Sequence, residues 1–340
     1  MIRGLAAIAI AGCAAPTGAA QTWPPPLGLA VSSAVVADLD RDGALDLLVA
    51  ATGAPAGEGL YLVRGGVDWD GATIASFTRF VPHTVAAISA LAVVDRDLVL
   101  AYTVKGKATL ERLDPETLTT LATLPLGIAS ATRLVVSDVD AHALVLGDDA
   151  VIDGAATGGP RPLPPPTGAT WLAPQAAVGF AMGSVAVATP TQVFTAALAA
   201  GPQYATVRPA RDAVALTTQI AATLADPAGA PVTAIVGVDV AGSRLCAIDV
   251  AGTVGAACFA IDPVGADVRL TALPFAAGVA VASGGAVASY TALVLDGVDL
   301  AAAGPRAALS GPAPGIVLAV PDHLIALDGD GAIACLGPGC

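Results

Sequence analysis

Lysine, glutamate and histidine are nearly missing from this 340-residue chain, which holds two, three and three of them. Lys and Glu are the usual residues of exposed helix faces, so little remains from which to build a soluble helix. A GC-rich genome would explain 13 Arg against 2 Lys, but not 25 Asp against 3 Glu, because both acids have GC-rich codons. Aromatic residues make up only 4% of the chain, too few for the girdles of an outer-membrane barrel. No Cys-x-x-Cys pair occurs, which argues against zinc and dithiol redox chemistry. There is no Gly-x-Ser-x-Gly, no Gly-x-Gly-x-x-Gly opening a helix and no phosphate-binding loop. His83, His142 and His323 stand apart from any nucleophile motif and read as turn residues rather than catalytic bases. Positive charge is also scarce, and the net charge is −13. Such a chain does not neutralise phosphates, so nucleic acid is not expected as a partner. Residues 162–207 carry no charge, yet Pro, Gly, Thr and Gln interrupt them, so no membrane-spanning helix is expected there.

What is plentiful is turn chemistry: 25 Asp, 38 Gly and 26 Pro. Nine residues concentrate it, Asp38-Leu-Asp40-Arg-Asp42-Gly43-Ala44-Leu-Asp46. Carboxylates at positions 1, 3, 5 and 9, with glycine at position 6, suit a hard cation that wants six or more oxygens. Gly43 allows the turn, and the carbonyl of Ala44 would complete the inner set. The expected metal is calcium, held by Asp38, Asp40, Asp42, Ala44 and Asp46. The alternative is a solvated acidic turn, disfavoured by the mutual repulsion of four aspartates. The flanks Ala34-Val-Val-Ala37 and Leu45-Asp-Leu-Leu-Val-Ala50 are short apolar runs of strand character. Position 12 is Val49 and not Glu, so the loop is not an EF-hand.

A calcium loop between two strands, in the stretch VVADLDRDGALDLLVAATG (35–53), resembles the FG-GAP/VCBS repeats of β-propellers, including the integrin α-subunit head. Only this copy is intact. Degenerate relatives occur at Asp95/Asp97, at Asp138/Asp140/His142 and at Asp226/Gly229, with too few oxygens left for a hard cation. They read as hairpin turns.

The N-terminus has a basic start at Arg3, a short apolar segment and Ile10-Ala-Gly-Cys13. This resembles the lipobox of bacterial lipoproteins. The resemblance implies cleavage before Cys13, lipidation of its thiol and, with Ala14 next, passage to the outer membrane. Residues 1–12 are then the signal peptide and 13–28 a tether stiffened by Pro24-Pro-Pro26, with the propeller in 29–340.

The other four cysteines, Cys246, Cys258, Cys335 and Cys340, allow three pairings and fit an oxidising compartment. CAIDVAGTVGAAC reads as a hairpin turning near Gly252, which places Cys246 opposite Cys258. Cys335 with Cys340 would close the final turn.

A string of apolar residues ending in Asp, then a turn and another apolar run, recurs at Asp114, Asp249 and Asp328, and more weakly at Asp153 and Asp296. Arg64 and Thr195 occupy the same place without the acid. The mean spacing is 44 residues, about the length of a four-stranded blade. The expected fold is all-β, a seven-bladed propeller of four-stranded antiparallel blades, each hairpin forming a blade's outer pair. Residues 86–94 with 97–104, and 175–180 with 183–189, would be inner pairs.

Two functions compete. One is a calcium-stabilised, membrane-anchored propeller lipoprotein that binds protein or glycan without turnover. The other is a propeller enzyme, a polysaccharide lyase or a quinoprotein-like dehydrogenase. A lyase needs a His or Tyr base on one propeller face, so the placement of His83, His142, His323, Tyr61, Tyr102, Tyr204 and Tyr290 discriminates between the two. Trp171 is a candidate contact for carbohydrate or protein, and Pro160–Pro166 an extended connection.

Overall fold

A computed structural model describes residues 29–53, 57–65, 79–83, 88–94, 96–136, 142–154, 159–168, 170–171, 177–181, 184–188, 192–198, 204–209, 216–250, 256–265, 268–273, 277–283, 286–296, 299–301, 314–320, 324–328 and 333–336. The expected signal peptide and tether, with Cys13, lie outside these residues. So do Asp95, Asp138, Asp140, His323 and Cys340.

Among the described residues there is no α-helix, and the strands form antiparallel meanders. The first sheet holds β1 (Leu29–Ala37), β2 (Asp46–Gly53), β3 (Gly59–Val63) and β4 (Arg79–Pro82). The second holds β5 (Ile88–Val94), β6 (Asp97–Val104), β7 (Lys107–Leu113) and β8 (Thr120–Pro125). The third holds β9 (Arg133–Val136), β10 (Ala143–Leu146), β11 (Val151–Asp153) and β12 (Arg161–Leu163). The fourth holds β13 (Ala177–Ala181), β14 (Ser184–Ala188), β15 (Gln192–Ala196) and β16 (Ala205–Pro209).

The next four strands are β17 (Leu216–Ala225), β18 (Pro231–Asp239), β19 (Arg244–Asp249) and β20 (Ala256–Ala260). Two three-stranded sheets follow. One has β21 (Arg269–Leu273), β22 (Gly278–Ser283) and β23 (Ala286–Tyr290). Then come β24 (Val294–Asp296) and β25 (Asp299–Ala301). The last sheet has β26 (Pro314–Ala319), β27 (Leu324–Asp328) and β28 (Ile333–Leu336).

The fold is a β-propeller with six blades, which corrects the expectation of seven four-stranded blades. Six sheets have the plain meander form of a blade, four with four strands and two with three. The remaining sheet is composite, with β24–β25 added to β17–β20 through one parallel pair, Ala225 with Val294. The Asp296 string does form a hairpin, but it does not complete the β21–β23 blade. Its apolar residues Leu293, Leu295 and Leu300 bury themselves in the core beside the β17–β20 sheet. Burial of three leucines outweighs the regularity of the repeat.

The sheets bury both faces, which is why the strands read as continuous apolar runs instead of alternating ones. In β2, Leu47, Val49 and Ala51 face one neighbouring sheet and Leu48 and Ala50 the other. The first of these cores also takes Ile325 and Leu327 of β27, so the last sheet packs on the first and the ring closes. The first strands of successive sheets lie side by side in the same order, from β1 to β5, β9, β13, β17, β21 and β26, and β26 meets β1. A one-residue bulge recurs in β1, β5, β17 and β26 near their N-terminal ends. Bulges add local twist, which suits strands that must turn toward a common axis.

Candidate functional site

The nine-residue loop joins β1 to β2, as its apolar flanks predict. Gly43 has φ 91° and Arg41 φ 63°, so two left-handed residues fold the carboxylates inward. Asp38, Asp40 and Asp42 bring oxygens within 4.8 Å of one another. Each carboxylate also accepts a backbone N–H of the loop: Gly43 to Asp38 Oδ2 (3.1 Å), Asp42 to Asp40 Oδ1 (3.3 Å) and Ala44 to Asp42 Oδ1 (2.8 Å).

Asp46 does not join the triad. It is only 1% exposed. Its Oδ1 accepts from Gly65 N (2.7 Å), and its Oδ2 from Leu39 N (3.1 Å) and Arg64 Nη1 (3.0 Å). The same Arg64 nitrogen lies 3.0 Å from Asp40 Oδ2. Asp46 instead ties the loop to the end of β3, and Arg64 supplies a cationic partner to the loop. The three remaining carboxylates are chemically suited to a hard cation, with further oxygens needed from elsewhere.

Acid–arginine staples of this kind recur at blade hairpins. Arg112 pairs with Asp97 across β6–β7. Asp153, buried at the end of β11, holds Arg161 Nη2 and His142 Nδ1, both at 3.1 Å. Asp239 takes Arg244 Nε at 2.9 Å and the N–H groups of Ser243 and Arg244. Burial opposes the Asp239 charge, but these donors prevail and lower its pKa. Asp114 is exposed and caps its own turn through Thr117, whose N–H and hydroxyl lower its pKa. Of the aspartates in the recurring string, Asp114 and Asp153 fasten hairpins; Asp97 and Asp239 do so from outside it. Among Asp97, Asp153 and Asp239, the recurring spacing points to Asp153, and no sequence signal marks the arginine partners Arg112, Arg161 and Arg244.

His83 Nε2 lies 2.9 Å from Glu111 Oε2, and Thr120 donates to Glu111 Oε1 at 2.6 Å. Tyr102 meets the His83 ring edge-on, 6.1 Å between centroids. Burial, then the Glu111 charge, raises the Tyr102 pKa. Glu111 is buried, and the cluster links β7 and β8 to His83, which follows β4. It lies between the first two sheets and off the axis.

The axis itself holds a cavity of about 620 Å³, walled by the first strands β1, β5, β9, β17, β21 and β26. Among the described residues, no His or Tyr lines it. Its wall is polar. Ser33 Oγ of β1 accepts from Leu91 N of β5 (3.0 Å), and Thr271 of β21 donates to Val317 O of β26 (2.7 Å). Arg133 of β9 reaches past β13 to β17, donating to the carbonyls of Val178 (3.4 Å) and Gln219 (2.5 Å). Such bonds occupy edge groups that the inner strands leave unpaired. No sequence signal marked Arg133, a lone charge opening an apolar strand.

Cys246 and Cys258 face each other across β19 and β20, Cα atoms 4.0 Å apart, and are joined as a disulfide. Cys335 lies in β28, while Cys340, its expected partner, is outside the described residues. Trp171 is part-buried, donates from Nε1 to Leu163 O (3.0 Å) and reaches the cavity wall.

No protein-family model matches the chain, and no curated protein does. Solved structures share its fold at low identity. A catalytically inactive virginiamycin B lyase from Staphylococcus aureus with quinupristin is 9% identical, with a TM-score of 0.59 over 92% of this chain and 96% of that one. BBS1N in complex with ARL6DN is 12% identical, with a TM-score of 0.56 over 93% of each. A chain of the mitotic checkpoint complex is 10% identical, with a TM-score of 0.53 over 99% of this chain and 98% of that one. One neighbour is a lyase and others are assembly components, so the shared feature is the propeller.

Proposed function

We propose that this chain is a calcium-stabilised β-propeller lipoprotein of the bacterial outer membrane, a non-enzymatic module that binds protein or glycan. The observation that carries the reading is the convergence of Asp38, Asp40 and Asp42 at a strand-to-strand turn closed by a left-handed glycine. A cation there would relieve repulsion among three carboxylates and lock the β1–β2 connection. The lipobox-like Cys13 and the proline-bearing tether supply the anchor. The binding reading is favoured over turnover by the position of the His83, Tyr102 and Glu111 cluster, between sheets and away from the cavity wall.

The test is thermal unfolding with calcium and with chelator. Chelation lowers the melting temperature of the wild type, and Asp40→Ala abolishes that difference. Identical curves in calcium and chelator would dismiss the metal. Cys13→Ser releases the protein from the membrane fraction; retention there would dismiss the lipid.

A further inference from the structure

We propose that the axial cavity binds a carboxylate-bearing saccharide, the Arg133 guanidinium taking the carboxylate. This deepens the binding-module reading by naming a ligand class, and rests on that reading only for the lack of turnover. It is independent of calcium and of the lipid.

The argument begins with an uncompensated charge. Arg133 gives two of its five N–H donors to neutral carbonyls. Its Nε is buried with no partner. Among the described residues, no carboxylate pairs with it. Burial lowers its pKa to about 10, so it remains a cation at neutral pH, held where water solvates it poorly. A charge kept at such cost is stabilised when an anion arrives. Among the described residues, the other charged ones on the wall are Arg269 and Asp148. Asp148 is already bound by Ser130 Oγ at 2.8 Å. The described part of the wall thus carries a net positive charge in a chain of net −13.

The hydroxyls decide which anion. Ser32, Thr132, Thr218 and Thr271 each donate their only proton to a backbone carbonyl, of Ala50, Leu146, Val268 and Val317. What these four offer a ligand is lone pairs, while Ser33, which accepts from Leu91 N, keeps its own proton to donate. Sulfate brings only acceptors to such a wall, and hydrogenphosphate little more than acceptors. A sugar acid brings one carboxylate for the guanidinium and several hydroxyl donors for the oxygens. The volume, about 620 Å³, lies within the range of small-molecule sites and exceeds what one inorganic ion needs. Trp171 on the same wall adds an aromatic surface for a sugar ring.

The experiment is titration calorimetry of the purified full chain with digalacturonate, lactose and inorganic phosphate. Digalacturonate binds, and the neutral sugar and phosphate bind about tenfold more weakly or not at all. Arg133→Met weakens digalacturonate by about tenfold or more, and Arg133→Lys by less. No heat with digalacturonate, an unchanged affinity in Arg133→Met, or phosphate binding as tightly as the sugar acid would overturn the assignment. Should Arg133→Met fail to fold, phenylglyoxal labelling of the wild type takes its place. Digalacturonate then slows modification mapped to Arg133, and an unprotected Arg133 refutes the site. Digalacturonate recovered intact supports binding without turnover. Its conversion to an unsaturated sugar would retain the ligand class while ending the non-enzymatic reading.

Discussion

Replacing Asp46 by alanine should be among the most damaging single changes in the first blade, and for reasons unrelated to a metal. The carboxylate is 1% exposed and accepts from Leu39 N, Gly65 N and Arg64. Its loss orphans two backbone donors at about 1–3 kcal/mol each. Arg64 is 26% exposed, so its share of the pair is screened and adds about 1 kcal/mol at most. The sum is about 2–7 kcal/mol, a fall of about 3–10 °C in Tm for a chain of this size. Thermal unfolding by circular dichroism reads it directly. Asp46→Asn keeps one acceptor oxygen and should lose about half as much. Arg64→Met should lose about 1 kcal/mol, because it leaves the backbone bonds intact. All three measurements belong in chelator as well as in calcium. A deficit for Asp46→Ala below about 1 kcal/mol would refute the fastening role. A deficit seen only in calcium would return Asp46 to the metal.

Burial pushes the Tyr204 phenol up to about 12 from 10.0, and its hydroxyl has no hydrogen-bond partner. The folded chain therefore keeps this proton longer than the unfolded one, so the contribution is whole below pH 10 and is lost as pH rises toward 12. Tyr204→Phe should show a shallower alkaline loss of Tm and equal or higher stability at neutral pH; a steeper loss would contradict the sign. Non-reducing peptide mapping should recover Cys246 linked to Cys258, and reduction should cost about 3 kcal/mol for a loop of this length. Any other pairing would contradict the β19–β20 register. Gly278→Ala would place a Cβ 2.1 Å from Tyr290 O and 2.9 Å from Thr291 Cα. It should cost about 2 kcal/mol or more in an unfolding titration; a neutral result would mean that β22 and β23 pack otherwise.

Much of the blade architecture was legible because local forces write it. Apolar runs bounded by Asp, Gly and Pro make strands and turns wherever they stand, so residues 86–94 with 97–104 became β5 and β6. The cysteine spacing reported a hairpin for the same reason: opposite residues in a tight antiparallel pair are neighbours regardless of the rest of the chain. The inward turn of Asp38, Asp40 and Asp42 is likewise a property of nine consecutive residues.

Partnership across blades lay beyond such reading. Asp46 has a ligand's spacing in the sequence, and only the fold puts Arg64 and Gly65 against it, 18 and 19 residues away. The Asp296 hairpin looked like an outer pair of its own blade, and only the competition for a buried surface moved it to the neighbouring sheet. Arg133 gave no local sign at all. The sequence by itself determined an all-β chain of fastened hairpins with one acidic loop. The closing of the ring decided which edges face the axis, how many plain blades surround it and which cation is left there without a counter-charge, since these depend on groups that meet only when strands 45 and 86 residues apart are brought together.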